Sequence, residues 1–164
     1  CDEGIIAALY EASAAGVKIG LIVRGICCLK VGIPGISENI HVRSIVGNFL
    51  EHSRIFFFLN DGEEEIYMGS ADWMPRNLDR RVEILFPVLD DTLKEKVKHI
   101  LDVELADNTK AHVLKPDGEY EKIDRRGKVL VNSQKQFCEE AVAAVPKTDH
   151  VYRERVFVPA EPAE

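Results

Sequence analysis

The sequence lacks the features that mark membrane proteins, secreted proteins and zinc-binding modules. No stretch approaches the roughly 20 apolar residues of a membrane-spanning helix, and no signal peptide is visible. The four cysteines form no C-x-x-C pair and have no zinc-ligand spacing with histidine. This usage is typical of a cytosolic protein, and we expect Cys27 and Cys28, which follow an apolar run, to be buried reduced thiols.

A surplus of positive charge is also absent, since 21 basic residues stand against 28 acidic ones and the formal net charge is −7. This balance argues against broad binding of nucleic acid or of anionic membranes, which usually requires a basic surplus. It leaves room for a local basic pocket, because an electrostatic field depends on where the charges lie. We therefore predict no nucleic-acid partner and a cytoplasmic location, with membrane association left open.

The bulk composition is that of one ordinary globular domain. Hydrophobic residues make up 46% and charged residues 30% of the 164 residues, enough to bury a sizeable core. Residues 1–146 are predicted to form this domain, and residues 147–164, with prolines and mixed charge, a C-terminal tail or strap. Because the chain opens with Cys1 and passes at once into a predicted helix, we expect a fragment of a longer protein.

Periodicity along the chain predicts an α/β fold with a mixed β-sheet flanked by helices. Helices are predicted over residues 3–15, 90–107 and 133–145. Strands are predicted over residues 17–24, 40–45, 50–58, 65–69, 81–88, 109–114 and 119–123. Turn signals that join two pairs of these strands as hairpins are Asn60-Asp61-Gly62 and Pro116-Asp117-Gly118.

Arg24 and Gly25 stand where the first predicted strand ends. Ligand sites of open α/β sheets gather at the carboxyl ends of strands, and a glycine there allows a ligand to approach the backbone closely. A solvated strand terminus explains an arginine at this position equally well. The residues themselves therefore leave a binding role and a structural role for Arg24 open.

His52, Ser53 and Arg54 form the most informative motif of the chain. If residues 50–58 form a strand, His52 and Arg54 share one face and Ser53 points to the other. The imidazole can move a proton near neutral pH or act as a nucleophile, and the guanidinium can hold phosphate oxygens as a planar fork. The alternative interpretation is a polar patch at the start of a strand. The histidines interpreted as non-catalytic are His41, His99, His112 and His150.

The segment 68–81 carries many polar side chains between two apolar strands. Its arginines, among them Arg76, either pair with neighbouring carboxylates or face a phosphate group, which arginine binds in a bidentate manner. Trp73 either packs in the core or stacks on a base. The acidic run 61–65 lacks the spacing of a metal-binding loop, so no metal ligand is assigned. The carboxylates available for pairing are Asp72, Asp79 and Glu83.

A histidine, a cation two positions later, a Gly-Ser pair and a later glutamate resemble the phospholipase D signature His-x-Lys…Gly-Ser-x-Asn…Glu. Arg54 stands in place of the lysine and Asp72 in place of the asparagine, with Glu83 as the later acid. Leu59 stands where an aspartate is usual. These departures argue against a working phosphodiesterase.

Longer stretches closely resemble the C-terminal region of the polyphosphate kinase family, the bacterial ATP-polyphosphate phosphotransferases. The resemblance runs from about Gly4 to Ala144 and includes ALYEASAAGVKIGLIVRGICCL, GIPGISENIHVRSIVGNFLEHSRIFFF and SADWMPRNLDRRVEILFPV. Relatives in this family carry two phospholipase-D-like domains in succession, with the phosphorylated histidine in the first. The resemblance implies that this chain is the second, C-terminal phospholipase-D-like domain.

The resemblance also implies roles for particular residues. Arg24 falls on the arginine that binds the nucleotide phosphates. His52 falls on the second active-site histidine, and it is assigned both a catalytic and a phosphate-binding role. Arg54 and Arg76 are assigned as further phosphate contacts. These roles imply reversible transfer of the terminal phosphate of ATP to polyphosphate, through a phosphohistidine in a domain absent from this chain.

The partners implied by the resemblance are ATP or ADP, polyphosphate and the preceding domains of the same polypeptide. Mg²⁺ accompanies the nucleotide and is expected to be bound mainly outside this chain. We expect a homo-oligomer for the full-length protein and no activity for the isolated chain. Two alternatives stay open, a phospholipase-D-like phosphodiesterase or nuclease and a non-catalytic polyanion-binding module.

Overall fold

The computed structural model describes residues 2–145, in which seven strands and four helices form an α/β fold with two separate β-sheets. The predicted tail 147–164 and the end of the predicted domain 1–146 lie outside the described residues. The helices are α1 (Glu3–Ala14), α2 (Pro75–Arg80), α3 (Asp91–Ala106) and α4 (Ser133–Ala144). The strands are β1 (Ile19–Ile22), β2 (Ile40–Ile45), β3 (Ile55–Phe58), β4 (Glu65–Gly69), β5 (Leu85–Pro87), β6 (Ala111–Leu114) and β7 (Tyr120–Lys122).

The larger sheet has the strand order β1-β2-β6-β7. β1 runs parallel to β2, whereas β6 is antiparallel to both β2 and β7. This sheet is therefore mixed, as the sequence predicts, and the predicted hairpin between its last two strands is confirmed. The buried residues of its core are Leu29, Val31, Ile40, Val42 and Leu114, against which α1 packs Ile6, Leu9 and Tyr10.

The smaller sheet is antiparallel, with the order β3-β4-β5. The predicted hairpin between β3 and β4 is confirmed, and its turn places Asn60 and Asp61 at φ values of 43° and 53°, a conformation that asparagine and aspartate tolerate. A separate small core of Ile66, Val88 and Val97 joins this sheet to α3. The single sheet expected from the sequence is thus divided into two, each with its own core.

Polar side chains fix where three of the helices begin. Asp2, Asp90 and Asn132 each accept a hydrogen bond from the backbone N–H three residues ahead, at 3.0 to 3.1 Å. Such caps satisfy donors that have no partner inside the helix. The predicted helix 90–107 is confirmed, because α3 with its capping residues Asp90 and Asp107 covers this range. No helix within residues 2–145 is both long enough and apolar enough to cross a membrane.

The predicted strand 50–58 is wrong in its first half, because only Ile55–Phe58 forms a strand. His52 and Arg54 lie in an irregular segment before it. Just before this segment, the side chain of Gln134 pairs with both backbone groups of Phe49. The Phe49 N–H donates to Gln134 Oε1 at 3.0 Å, and Gln134 Nε2 donates to the Phe49 carbonyl at 2.8 Å. The backbone of Phe49 is thus bonded to a side chain of α4 instead of to a neighbouring strand.

Two further expectations are corrected. Of the predicted strand 81–88, only Leu85–Pro87 pairs as a strand. Residues 81–84 are irregular and follow α2, which starts at Pro75 and ends at Arg80. Proline suits the first helical position because its φ is already helical and its missing N–H is not needed there. Cys28 is exposed and Cys27 is half-buried, so neither is a fully buried thiol. Both line the cavity described below, and Cys27 also packs against the core of the larger sheet.

β1 covers only Ile19–Ile22 of the predicted strand 17–24. Its residues are half-buried or exposed. The cause is its position at an edge of the four-stranded sheet. The chain leaves the strand before Arg24, which places this side chain beyond the carboxyl end, as the sequence predicts.

Candidate functional site

A cavity of about 340 Å³ is lined by three of the motifs that the sequence singled out. Its wall combines the end of β1, the segment before β3 and the segment before α2, with α1 and α3 completing it. Residues far apart in the sequence therefore converge on one space. The polar and charged residues lining it include Arg24, Glu51, His52, Arg54, Asp72 and Glu104.

Arg24 lies just beyond the carboxyl end of β1 and is exposed. Its Nη1 donates a hydrogen bond of 2.7 Å to the backbone carbonyl of Glu51, the residue before His52. This bond ties the end of the larger sheet to the segment that enters the smaller sheet. Within residues 2–145 no other partner of the Arg24 guanidinium is found, so its remaining N–H groups are available to an anion in the cavity.

His52 and Arg54 are in direct contact, although neither lies in a strand. Arg54 Nη1 lies 3.0 Å from Nδ1 and 3.3 Å from Nε2 of the imidazole, and it donates to the His52 carbonyl at 2.9 Å. A guanidinium can only donate hydrogen bonds, so the ring nitrogen that faces it has to present a lone pair. His52 is exposed and lines the cavity, so the arginine holds an imidazole that a ligand can reach.

Asp72 fixes the other side of the Arg54 guanidinium. Its Oδ1 accepts from Arg54 Nε at 3.1 Å and from Nη2 at 3.0 Å. The Arg54 side chain is 17% exposed and that of Asp72 is 32% exposed, so the pair is partly shielded from water. The buried Asn77 donates to the Asp72 carbonyl at 3.3 Å and supports this segment. The result is a chain of contacts from Asp72 through Arg54 to His52.

The remaining residues of the segment 68–81 have mainly structural contacts. Ser70 donates to Glu83, and the Ile84 N–H donates to Ser70 Oγ at 3.0 Å. Arg81 forms an ion pair of 3.1 Å with Glu83. This arrangement agrees with the alternative in which an arginine of the segment pairs with a neighbouring acid.

Trp73 and Arg76 are placed differently from each other. The Trp73 ring stacks on Phe56, with centroids 5.1 Å apart and an interplanar angle of 19°, so packing occupies one of its faces. Arg76 is exposed on α2 and is not among the residues that line the cavity. The phosphate contact assigned to Arg76 stays a prediction, and it would need a ligand that extends beyond the cavity.

Glu51, Glu104 and Gln134 are site residues that the sequence analysis missed. Glu104, on α3, is 6% exposed, and its carboxyl group is hydrogen-bonded to that of Glu51. Burial, followed by the negative charge of Glu51 and the hydrogen bond with it, raises the pKa of Glu104 to about 7. Gln134 Nε2 donates to Glu51 Oε1 at 2.5 Å. Apart from the position of Glu51 beside His52, the sequence carries no signal for this cluster.

Asp107 organises the chain just behind this cluster and is 1% exposed. Its Oδ1 accepts from the backbone N–H groups of residues 109 to 111 at 2.8 to 3.1 Å. Its Oδ2 accepts from the N–H and Oγ of Ser133 at 2.8 and 2.9 Å. Burial alone would raise the pKa of Asp107, but the hydrogen bonds from Lys110 and Ser133 outweigh it and leave the pKa lowered. Asp107 thus joins the ends of α3 and α4.

The carboxylates around the cavity are already engaged. Asp72 is paired with Arg54, and Glu51 is held by Gln134 and Glu104. No group of three or more His, Cys, Asp and Glu side chains suited to a metal ion is found within residues 2–145. The described part of the chain therefore does not fit a Mg²⁺ ion by itself.

Three of the other histidines are described by the structure, and none of the three lines this cavity. His99 Nε2 is 3.0 Å from the carboxylate of Glu140, and His112 Nδ1 is 3.0 Å from the Lys110 carbonyl. His41 and these two residues do not line the cavity, and His150 lies outside the described residues. Their interpretation as non-catalytic stays a prediction.

The sequence matches one protein family over most of its length. The family described as Polyphosphate kinase C-terminal domain 2 matches residues 1–134. The polyphosphate kinase of Lactiplantibacillus plantarum is 54% identical over 149 residues, which are 91% of this chain and 21% of that protein. The polyphosphate kinase of Pseudomonas aeruginosa is 54% identical over 145 residues, 88% of this chain and 21% of that protein. The chain thus spans about a fifth of the length of the curated relatives it matches.

The fold is similar to that of a solved polyphosphate kinase. The crystal structure of the enzyme from Porphyromonas gingivalis superposes with a TM-score of 0.82 at 43% sequence identity, covering 87% of this chain and 22% of that chain. This similarity confirms the expected phospholipase-D-like α/β fold. Sequence and fold agree, and the chain belongs to the polyphosphate kinase family, in which it corresponds to the C-terminal domain 2.

Proposed function

We propose that this chain forms the part of a polyphosphate kinase that holds phosphate groups beside His52 while the terminal phosphate of ATP is transferred reversibly to polyphosphate. The observation that carries the proposal is the bond of 2.7 Å from Arg24 to the Glu51 carbonyl, because it places a guanidinium with free donors next to His52. Both side chains face the same cavity. A guanidinium with unused donors beside an imidazole suits phosphoryl transfer, because positioning and charge stabilisation supply most of its catalysis.

Phosphoryl transfer needs little covalent chemistry from the protein and much positioning and charge stabilisation. In this proposal Arg24 binds the phosphates of the nucleotide, and Arg76 contacts a part of the ligand outside the cavity. Arg54 holds His52 and adds positive charge at the same place. His52 acts as an acid/base group, or as an electrostatic partner of the transferring phosphate.

The reactive histidine of the proposed reaction lies outside this chain. ATP phosphorylates it, and the bond from phosphorus to the histidine nitrogen breaks as a terminal oxygen of polyphosphate forms a bond to phosphorus. The chain spans about a fifth of its relatives, which supports the view that preceding domains of the same polypeptide supply this histidine. We expect the isolated chain to be inactive, and a domain of residues 1–146 with a tail of residues 147–164.

The cellular setting is part of the same proposal. Mg²⁺ accompanies ATP and is bound mainly outside this chain. The full-length protein is proposed to be a cytoplasmic homo-oligomer that binds ATP, ADP and polyphosphate and no nucleic acid. The net charge of −7 supports the last point, since nucleic-acid binders usually carry a basic surplus.

The test compares three activities of the full-length polypeptide that contains this chain. Polyphosphate formation from ATP, hydrolysis of bis(p-nitrophenyl) phosphate and binding of polyphosphate are measured side by side. We expect synthesis from ATP, ATP formation when ADP and polyphosphate are supplied, and no hydrolysis of the diester. Diester hydrolysis without ATP would instead support a phospholipase-D-like phosphodiesterase. Polyphosphate binding without either reaction, weakened by Arg24→Ala and unchanged by His52→Ala, would support a binding module.

A further inference from the structure

Glu51 and Glu104 place two carboxyl groups in hydrogen-bonding contact at the wall of the cavity. Glu104 is 6% exposed and comes from α3, whereas Glu51 comes from the segment that carries His52. Two adjacent carboxyl groups cannot both ionise at low cost, because like charges repel and burial removes the water that would solvate them. One member of the pair therefore has to carry a proton.

Gln134 fixes the role of one oxygen of the pair. The Phe49 N–H donates to Gln134 Oε1 at 3.0 Å, which fixes the orientation of the amide because only its oxygen can accept. The Gln134 NH₂ group therefore faces Glu51, and it donates to Glu51 Oε1 at 2.5 Å. Glu51 Oε1 is thus held as an acceptor, and the shared proton lies among the remaining carboxyl oxygens of the pair. The raised pKa of Glu104, about 7, agrees with this arrangement.

The charges around the pair come from three directions. Asp107, at the end of α3, adds negative charge and raises the pKa of Glu104 further. Arg43 of β2 approaches the Glu104 backbone, with Nη1 3.5 Å from its carbonyl oxygen. Burial lowers the pKa of Arg43, and Asp107 opposes this effect. The titratable groups on the cavity side are Arg24, His52, Arg54, Asp2 and Asp72, with the thiols of Cys27 and Cys28.

We propose that Glu51 and Glu104 form a proton-sharing pair that positions Arg24 and His52, so that the site keeps its geometry only while the pair keeps its proton. Glu51 is the link, because its carbonyl accepts from Arg24 at 2.7 Å and the next residue is His52. When the proton leaves, two carboxylates face each other and repel. The segment of Glu51 then moves away from α3, and Arg24 loses its acceptor.

Glu51 and Glu104 are positioning residues in this proposal, since they act through Arg24 and His52. The effect on phosphoryl transfer rests on the proposed function, whereas the proton sharing itself does not. The two parts are therefore tested by separate measurements.

The first test follows the side-chain carboxyl carbons of the glutamates by NMR as the full chain is titrated from about pH 4 to about pH 9, a range that spans ordinary and raised carboxyl pKa values. We expect one signal to titrate near 7, the pKa to which Glu104 is raised. This signal should be missing from Glu104→Gln and should shift toward 4.5, the ordinary value, in Glu51→Gln. Titration of Glu104 near 4.5 in the wild-type chain would overturn the proposal.

The second test measures kcat/KM for ATP in polyphosphate synthesis by the full-length polypeptide, at pH values below and above 7. The wild type should lose roughly tenfold as the pair ionises, the size expected when one hydrogen bond is lost. Glu104→Gln should remove this loss, because a glutamine can donate to Glu51 at any pH. The control is Glu95→Gln, on an exposed position of α3, which should keep the wild-type pH profile.

The outcomes separate the inference from the proposed function. Synthesis with the same pH profile in wild type and Glu104→Gln overturns the positioning role and leaves the proposed function standing. A carboxyl signal near 7 in a protein that makes no polyphosphate at any pH supports the proton-sharing pair and overturns the proposed function. A flattened profile in Glu104→Gln, together with the titration near 7, supports both.

Discussion

Arg24 and Glu51 are joined by a hydrogen bond of 2.7 Å, from Nη1 of the arginine to the backbone carbonyl oxygen of the glutamate. The bond connects the carboxyl end of β1 in the larger sheet to the segment that leads into β3 of the smaller sheet. The two sheets have separate buried cores. The contact therefore helps to hold Arg24 and the segment of His52 at a fixed distance across the cavity. It also explains how a residue 28 positions before His52 comes to share its site.

Substitution of Gly25 tests whether a ligand in the cavity approaches the backbone at this position. Gly25→Ala should change the free energy of unfolding by less than about 0.5 kcal/mol, because no atom lies within 4 Å of the added Cβ. It should nevertheless raise the KM for ATP, since Gly25 lines the cavity. Urea denaturation and steady-state kinetics measure the two effects. An unchanged KM would show that no ligand approaches this backbone.

Gly47→Ala, unlike Gly25→Ala, should destabilise the fold. Its Cβ would lie 2.2 Å from Gln134 Oε1, and Gln134 is buried and holds both Phe49 and Glu51. Relieving the clash would break these bonds, so we expect the free energy of unfolding to fall by about 1–3 kcal/mol. Urea denaturation checks this, with Gly20→Ala as the control because nothing lies within 4 Å of its Cβ. Equal stability of the two variants would contradict the role of Gln134 in holding Phe49 and Glu51.

The contact between Arg54 and Asp72 should be measurable as a coupling energy. The pair is partly buried and uses two guanidinium nitrogens, so a double-mutant cycle with Arg54→Ala and Asp72→Ala should give about 0.5–1 kcal/mol in the free energy of unfolding. Arg54→Lys should lose most of this coupling, because an ammonium cannot reproduce the planar fork. Strictly additive effects of the two alanine substitutions would show that the ion pair contributes nothing.

Asp107 should make the stability of the chain depend on pH in the acid range. Its pKa is lowered in the folded state, so the unfolded chain binds the proton more readily than the folded chain does. Its contribution is therefore fully present above the ordinary aspartate pKa of about 4 and is lost as pH falls through the lowered folded value.

Removing this carboxylate tests the role of Asp107. Asp107→Ala should cost about 2–4 kcal/mol at neutral pH, since five donors, three of them buried, would lose their acceptor. It should also flatten the acid limb of a plot of unfolding free energy against pH. Asp102→Ala, on an exposed position of α3, serves as the control. An acid limb that is equally steep in Asp107→Ala and wild type would refute the assignment.

The sequence predicted those parts of the fold that depend on local patterns. The bounds of β2 and β4 follow from short apolar runs between turn signals, and α3 follows from its apolar periodicity and its capping aspartate. The irregular segment before β3 could not be predicted in this way, because the chain that enters it is held by Gln134, 85 positions after Phe49. Local periodicity carries no information about such a distant side chain.

The candidate site was predictable to a similar extent. Arg24, His52 and Arg54 stood out because arginine and histidine next to glycine or at a strand end suit phosphate chemistry. Glu104 did not stand out, since a glutamate on a helix is ordinarily solvated. Its burial and its contact with Glu51 depend on how α3 packs beside the segment before β3, which is a tertiary property.

The most direct test of the central claim measures ATP-dependent polyphosphate synthesis by the full-length polypeptide with His52→Ala and with Arg24→Ala. The matched controls are His41→Ala and Arg125→Ala, both at exposed positions outside the cavity. Circular dichroism and urea denaturation establish that each variant is folded. The account predicts a loss of roughly 100-fold or more in both site variants, the usual size of acid/base and charge-stabilisation effects, and near-normal rates in the controls. Near-normal rates in folded His52→Ala and Arg24→Ala would contradict it and leave this domain as a scaffold or binding module.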